Sequence, residues 1–340
     1  SDQSPMDSHL KLTCGFFMLL PAVVLADEKP AELILATWNL EWFFDNYQGD
    51  NASDLAKKMS APNRSEWDWK CNGVAAAIAE IQPTIIALQE VESRRVAWYL
   101  TRRLQQAHGL KYRIAFVEGA DTFTEQDVAI LFQSGLVSFG RREQSSEMFN
   151  SKQYYNLSKH LITRFEWGKG EEKESLLLLN VHLRARAEIA PLRQRQCRLI
   201  RHWTREAILQ GENVVVLGDI NTETTFSATP PDSDMGILRG LATPKLTDNL
   251  FDLHKYLPAK ERASHLLPGK QFDRILVSQP LLENQDGKRD LVFQSMQRRK
   301  DLCVRGKQAD EDHWNIYYQI PQAERDLSDH YPLVARFRFD

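Results

Sequence analysis

The sequence predicts an α/β fold in which mixed β-sheets stack inside and helices lie outside, and three observations lead there. Several continuous apolar runs, rich in Ile, Val and Leu, end in a polar or acidic residue, the pattern of strands buried on both faces. Segments with apolar residues at helical spacing separate some of these runs. Others follow one another without an intervening helix, so part of the sheet system is antiparallel. That mixture excludes both a simple doubly wound sheet and an all-β sandwich.

Taken in order, residues 33–38 read as a strand ending at Asn39. A polar stretch from Phe43 to Asp68, rich in Asn, Asp and Ser, looks like an insertion that either covers a site or decorates the surface. Residues 72–81 read as a helix stopped by Pro83, and residues 84–88 as a strand delivering Gln89 and Glu90. Val96, Leu100, Leu104 and Ala107 mark a helix over 93–108 that Gly109 closes. Strands follow at 126–132 and 155–167, then a strand from Leu176 through Asn180 and Val181 into His182. Pro191 opens a helix that carries Leu192, Leu199, Trp203 and Ile208 to position 209. Residues 214–217 run through Gly218 to Asp219, residues 272–277 form a further strand, and 333–339 the last.

Hydrophobic residues make up 42% of the 340 positions and charged residues 26%, ample for a core, and no linker or repeat divides the chain. One continuous domain over 27–340 is the expectation. The formal net charge of -3 argues against a protein held to nucleic acid by a broad basic surface, yet leaves room for an enzyme gripping one or two phosphates. Residues 1–26 read as an address: Lys11 precedes an apolar run from Leu12 to Leu25, and small residues end at Ala26 before Asp27. That is the order of a secretory signal cleaved after Ala26, too short for a membrane span, and it places the mature protein outside the cytoplasm or in a periplasm. Ser1 to Pro5 precede the expected start methionine, Met6. Cleavage leaves Cys71, Cys197 and Cys303, enough for at most one intramolecular disulfide and without zinc-site spacing.

Polar residues at the ends of buried strands converge on one rim of a sheet, so the chemistry is sought there. Gly218-Asp219-Ile220-Asn221 sets a carboxylate beside an amide: a site for activating water and holding a phosphoryl oxygen, or a plain Asx-turn. Asp329-His330 puts a metal-ligating carboxylate next to an acid/base imidazole. Asp273 lies inside an apolar strand and needs a partner, either His330 or Arg274. Glu90 is a hard-metal ligand or a solvated loop residue, and His182 a site residue or a satisfied core histidine.

In order the chain gives Trp38-Asn39-Leu40, Gln89-Glu90-Val91, Asn180-Val181-His182-Leu183, Gly218-Asp219-Ile220-Asn221, Phe272-Asp273-Arg274-Ile275-Leu276 and Ser328-Asp329-His330-Tyr331-Pro332-Leu333. This series resembles the endonuclease/exonuclease/phosphatase superfamily, which includes deoxyribonuclease I, apurinic endonucleases and neutral sphingomyelinases, in an exported, bacterial-type form. The resemblance implies a four-layered α/β sandwich, two stacked mixed sheets flanked by helices, with the site on one rim. It implies Mg2+ as cofactor, with Mn2+ or Ca2+ as alternatives. Glu90 is then the principal metal ligand, with Asn39 and Asp329 nearby. Asp219 and Asn221 orient or deprotonate the attacking water and hold the phosphate. His330, paired with Asp273, stabilises the pentacovalent phosphate or protonates the leaving oxygen. His182 marks the subgroup with a second histidine, which leans on a glutamate, here assigned to Glu118.

Arg184, two residues after His182 on an extended segment, and Arg94 are assigned to substrate phosphate. Arg193, Arg195, Arg198, Arg201 and Arg205 read as a solvated helix face. The leading reading is a monomeric, secreted or periplasmic nuclease with DNA rather than RNA as substrate and no stable membrane insertion. The alternative is a sphingomyelinase-like or other lipid or small-molecule phosphoesterase, whose membrane-contact hairpin would be Trp314 with Ile316, Tyr317 and Tyr318, alternation that fits a core strand equally. A non-enzymatic binding module on the same fold is the third.

Overall fold

The computed structural model describes residues 28–243, 246–283, 290–306 and 313–339. The segment read as a secretion signal, with its cleavage site, lies outside the described residues.

Strands β1 (Glu32–Phe43), β2 (Ile85–Val91), β3 (Arg113–Phe116) and β4 (Asp127–Phe132) join β11 (Leu291–Arg298) and β12 (Leu333–Phe339) in a six-stranded sheet of order β11-β12-β1-β2-β4-β3. The other six, β5 (Leu136–Gly140), β6 (His160–Trp167), β7 (Glu174–His182), β8 (Val214–Asp219), β9 (Phe251–Asp252) and β10 (Asp273–Val277), pair in the order β5-β6-β7-β8-β10-β9. Among the described residues only β1–β2 and β7–β8 run parallel. The helices are α1 (Asp54–Met59), α2 (Arg64–Ile81), α3 (Arg94–His108), α4 (Ser146–Ser151), α5 (Ala190–Leu209), α6 (Asp234–Arg239) and α7 (His313–Ile316).

Alternation along the strands builds the layers. Leu33, Leu35, Ile85 and Ala87 face Leu176, Leu178, Val215 and Leu217 across the space between the sheets. The opposite side chains of the first sheet, among them Ala36, Trp38, Ile86 and Leu88, pack on Val74, Ile78, Val96 and Leu100 of α2 and α3. Leu177, Leu179, Val214 and Val216 meet Leu199, Ile200 and Trp203 of α5. The result is helices, sheet, sheet, helices: the expected four-layered α/β sandwich, with strands buried on both faces because both faces are covered.

Several boundaries differ from expectation. Helix α2 starts at Arg64 rather than 72, because Asn63 accepts a capping bond from Glu66 N at 3.1 Å and Trp67 and Cys71 extend its buried face. Strand β6 begins only at His160. Residues 314–318 form neither strand nor hairpin but α7 and a following turn, with Trp314 49% exposed. Of the stretch 43–68, Phe43 and Phe44 enter the core, α1 is capped by Ser53, and Ser53 N donates to Glu125 at 2.6 Å. The cysteines Cys71, Cys197 and Cys303 are free and buried, behaving as small core hydrophobes.

The register carries the site. β10 runs antiparallel to β8 and opposes Asp273 to Asp219, while β8 runs parallel to β7 and sets His182 beside Asp219. In the other sheet Asn39 lies beside Gln89, and β12 opposes Leu333 to Thr37, which brings the preceding Asp329–His330 to the same rim. Asn180 clasps the two sheets: its Nδ2 donates to Leu88 O (3.1 Å) and Ala129 O (3.0 Å), and its Oδ1 accepts from Gln89 (2.7 Å).

Candidate active site

Local backbone irregularities aim the side chains. The β1–β2 ladder shifts register between Asn39 and Phe43, and the β2–β4 ladder between Gln89 and Val91. Glu90 there adopts φ 60°, and Asn221 after β8 adopts φ 53°. Left-handed non-glycine residues at bulges redirect side chains and concentrate at functional positions. Gly218 has φ 129°, and a Cβ there would lie 2.0 Å from Val181 O, so only glycine lets β8 approach β7 this closely.

A cleft of about 480 Å³ opens at this rim, lined by Glu90, His182, Asp219, Asn221, Asp329 and His330 among others. Asn39 Nδ2 donates to Glu90 Oε1 (3.1 Å) and to Asp219 Oδ2 (3.0 Å), tying the sheets together at the cleft floor. Glu90 Oε2 accepts from Trp42 N (2.9 Å) and from Gln126 (2.6 Å). Asp219 Oδ1 accepts from Asn221 N (2.9 Å), and Asn221 Nδ2 donates to Leu183 O (3.0 Å). His330 Nδ1 lies 2.8 Å from Asp273 Oδ2, which also accepts from Ser264 Oγ at 2.8 Å. The other nitrogen, Nε2, points between Asp219 Oδ2 (3.8 Å) and Asp329 Oδ1 (3.7 Å). Asp273 therefore pairs with His330; Arg274 turns instead to Asp252, 3.5 Å away.

Charge is distributed unevenly. Burial, reinforced by the charge of Asp329, raises the Glu90 carboxyl above its ordinary range. Burial pushes Asp219 up to about 7, with His330 opposing and Asp273 assisting. Burial works against the His330 imidazolium, but Asp273, Asp329 and Asp219 outweigh it and hold its pKa well above the usual value. For Asp329, burial is overcome by His330, His265 and Trp314, which keep it well below the usual carboxylate range. Burial, then the charges of Lys159 and His330, depress His182, which is neutral.

Three expectations are corrected. Glu118 is exposed and makes no bond to His182; it lies near Asp127, whose Oδ1 accepts from Gly119 N at 2.7 Å. His182 Nδ1 is buried without a hydrogen-bond partner among the described residues, while Nε2 faces Asp219 at 3.5 Å and Glu90 at 3.9 Å. Arg94 is exposed and does not line the cleft, because Ser93 caps α3 at once and the helix turns its first residue to solvent. Arg184 does line the cleft. Asn39, expected as a metal ligand, presents its amide nitrogen to the carboxylates, and its oxygen accepts from Glu41 N (2.9 Å).

Other residues escaped the sequence reading. Asp329 Oδ2 accepts from Trp314 Nε1 (2.8 Å) and faces His265 Nε2 (3.4 Å). His265 Nδ1 accepts from Leu267 N at 2.9 Å, which leaves the proton on Nε2 for Asp329. Asp329 N donates to Glu41, itself bonded to His313. Lys159 bridges Gln126 (2.8 Å) and Asp121 (3.0 Å) on the opposite wall. None of these sits at the end of an apolar run, so no local signal marks them. The arginines of α5 are only in part a solvated face: Arg193 is fully buried against Asp234 (2.8 Å) and Arg201 is buried against Asp248 (3.1 Å), while Arg205, which also reaches Asp248 (3.1 Å), is exposed.

Comparison with solved structures bears on the fold. The human Nocturnin catalytic domain with bound sulfate superposes with a TM-score of 0.55 at 16% identity, covering 92% of this chain and 96% of that one. An endonuclease/exonuclease/phosphatase from Bacteroides vulgatus gives 0.54 at 15%, covering 92% and 100%. TDP2 from D. rerio, complexed with a single-strand DNA product, gives 0.52 at 14%, covering 91% and 100%. At these identities the likeness is one of fold. No curated protein sequence matches. A profile of the Endonuclease/Exonuclease/phosphatase family matches residues 36–330, nearly the whole described chain. The chain belongs to the endonuclease/exonuclease/phosphatase family.

Proposed function

We propose that the protein is a metal-dependent phosphodiesterase that hydrolyses DNA, exported to the periplasm or medium and acting as a monomer. The observation that carries the chemistry is His330 Nε2 set 3.8 Å from Asp219 Oδ2 and 3.7 Å from Asp329 Oδ1, with Asp273 behind the ring. It puts a cationic donor and a carboxylate acceptor on either side of a space open to substrate. Export is supported by the N-terminal sequence pattern.

The donor set fits a hard divalent cation. Asp219 and Asp329 are buried and Glu90 is partly buried, three carboxylates lining one cleft, and Lys159 on its wall is already paired with Asp121. Two groupings bring donor atoms close, His265–Asp329–His330 and Asp219–Asp273–His330, but each holds an imidazole already engaged with a carboxylate. Glu90 and Asp329 are therefore the better holders, oriented by Asn39, Gln126 and Trp314. Bound there, Mg2+ or a similar ion supplies Lewis-acid charge to a phosphoryl oxygen.

The protein's own groups account for the rest. Asp219 spends Oδ1 on Asn221 N and one lone pair of Oδ2 on Asn39; the remaining lone pair faces the two imidazoles. A carboxylate whose pKa lies at about 7 is matched to taking a proton from water at neutral pH. Water then attacks phosphorus while its proton passes to Asp219. His330, protonated, donates a hydrogen bond from Nε2 to the phosphoryl oxygen on which charge accumulates; the P–O bond to the leaving group breaks, and the departing oxygen takes its proton from solvent in the open cleft. His182, neutral, offers a second N–H without adding charge.

The lipid reading required an exposed apolar hairpin at 314–318. Those residues form α7 and a turn, and Trp314 Nε1 is committed to Asp329. Nor is any helix among the described residues long and apolar enough to cross a membrane. The test is nicking of supercoiled plasmid by the purified protein with Mg2+, lost with chelator and with His330→Ala. Plasmid left intact by a folded protein in Mg2+ and Mn2+ refutes the proposal.

A further inference from the structure

Arg184 and Arg186 are exposed on the segment after β7, line the cleft, and make no ion pair among the described residues. Unpaired surface arginines are ordinary, but the backbone beneath these two is held from behind. Arg193, fully buried, donates one guanidinium nitrogen to Arg184 O (3.0 Å) and Arg186 O (2.6 Å), while its Nε bonds Asp234 at 2.8 Å. Asp234 also accepts from Thr222 Oγ1 at 2.6 Å, so one buried ion pair anchors both the arginine segment and the turn that follows Asn221. Arg186 is kept at φ 78°, a conformation non-glycine residues rarely hold unless the surroundings impose it.

The same wall carries Phe123, 70% exposed and in no ring pair among the described residues, on a hydrogen-bonded turn. Asp121 Oδ1 accepts from Phe123 N (3.0 Å) and Thr124 N (3.1 Å), and Asp121 is clamped by Lys159. Lys159 O accepts from His182 N at 3.1 Å, which joins this turn to the strand end that leads into Arg184. A bare aromatic ring and two free guanidinium groups thus stand together beside the reacting centre, each on a fixed backbone.

We propose that this wall is a second subsite, in which Arg184 and Arg186 hold the phosphate next to the cleaved one and Phe123 stacks on its base. The proposal rests on the phosphodiesterase reading and names its substrate: an unpaired strand of two or more nucleotides, since a base must leave its duplex to stack on a side chain. Supercoiled DNA offers such strands where it melts transiently. A phosphocholine headgroup or a phosphomonoester supplies neither the second phosphate nor the base.

The test uses the exposed variants Phe123→Ala and Arg186→Ala. Binding of a fluorescent single strand of about twelve nucleotides, well within the range such clefts accommodate, is followed by anisotropy in chelator, so that no metal is needed. Phe123→Ala is expected to raise Kd about 5- to 100-fold, with Phe123→Trp restoring it. Arg186→Ala is expected to flatten the slope of log Kd against log salt by about 0.7, one phosphate contact on a single strand. Hydrolysis of the strand should lose at least about tenfold more in kcat/KM than hydrolysis of bis(4-nitrophenyl) phosphate. Equal losses on both substrates, or unchanged strand binding, overturn the subsite. A wild-type chain that cleaves the small diester but neither binds nor cuts the strand overturns it too, while leaving the phosphodiesterase reading intact. A wild-type chain inactive on both overturns that reading and the subsite with it.

Discussion

Replacing Asp273 by Asn isolates one charge in the proposed mechanism. Asp273 Oδ2 accepts from His330 Nδ1 and Ser264 Oγ, whereas Oδ1 is buried with no hydrogen-bond partner among the described residues. An asparagine places its oxygen where Oδ2 was, keeping both bonds and the tautomer, and its NH2 in the unpartnered position. The change removes the charge and leaves one amide N–H without a partner, a cost to folding that the melting control reports. With charge centres about 4 Å apart and an effective dielectric of 20, the lost attraction is on the order of 4 kcal/mol, roughly three pH units of imidazole stabilisation. Asp219 and Asp329 remain and offset part of this. The expected outcome is that the alkaline limb of the kcat/KM profile moves down by about two pH units, with kcat falling about 100-fold on its new alkaline side and much less at acid pH. The assay is hydrolysis of a chromogenic phosphodiester between pH 5 and 10, alongside NMR titration of the His330 ring. An alkaline limb that stays in place, in a variant that melts cooperatively, would refute the assignment of His330 as a cationic donor held by Asp273.

Three further outcomes follow from the same geometry. Glu90→Gln keeps the side-chain shape but removes the charge proposed to hold the cation; it should cut kcat at limiting Mg2+ by about 100-fold or more and weaken metal binding in calorimetry, and unchanged metal affinity would exclude Glu90 as the principal holder. Trp314→Phe keeps a ring stacked near His265 but withdraws the donor from Asp329 Oδ2, a charge-assisted bond worth roughly 1.5–3 kcal/mol; kcat/KM should fall about tenfold without loss of folding, measured by hydrolysis and circular dichroism. Asp127 is pushed up to about 7, by burial first and by Glu118 as well, while Gly119 N opposes. Because its folded pKa exceeds its unfolded one, the native state binds the extra proton between about pH 4 and 7, and stability falls as pH rises through that window. Asp127→Asn keeps the acceptor for Gly119 N and should raise the Tm progressively from pH 5 to 8, up to the order of 4 kcal/mol; a constant offset across that range would contradict it.

The layered fold was readable in the sequence because its signals are local. Runs such as 33–38 and 214–217 name strands buried on both faces, and the residue ending each run is the one that reaches the rim. Asn39, Glu90, His182 and Asp219 meet in the cleft for that reason, and Asp329–His330 joins them by preceding a strand paired with β1. Membership of the family followed from the order of those endings. What the sequence alone left open were partners. Whether Asp273 answers to His330 or Arg274 depends on which neighbouring strand supplies Asp252, and that is a matter of sheet order. Glu118 failed as the partner of His182 because it lies on an exposed turn whose direction Asp127 and Gly119 set. His265, Trp314 and Lys159 come from irregular segments or short helices whose position no periodicity encodes. Arg193 could be told from a solvated arginine only once α6 had placed Asp234 against it. Burial patterns are written along a chain by short-range periodicity; the pairing of buried charges is decided between elements far apart in the chain, 41 residues for Arg193–Asp234, 57 for Asp273–His330 and 272 for Glu41–His313, and only packing reveals it.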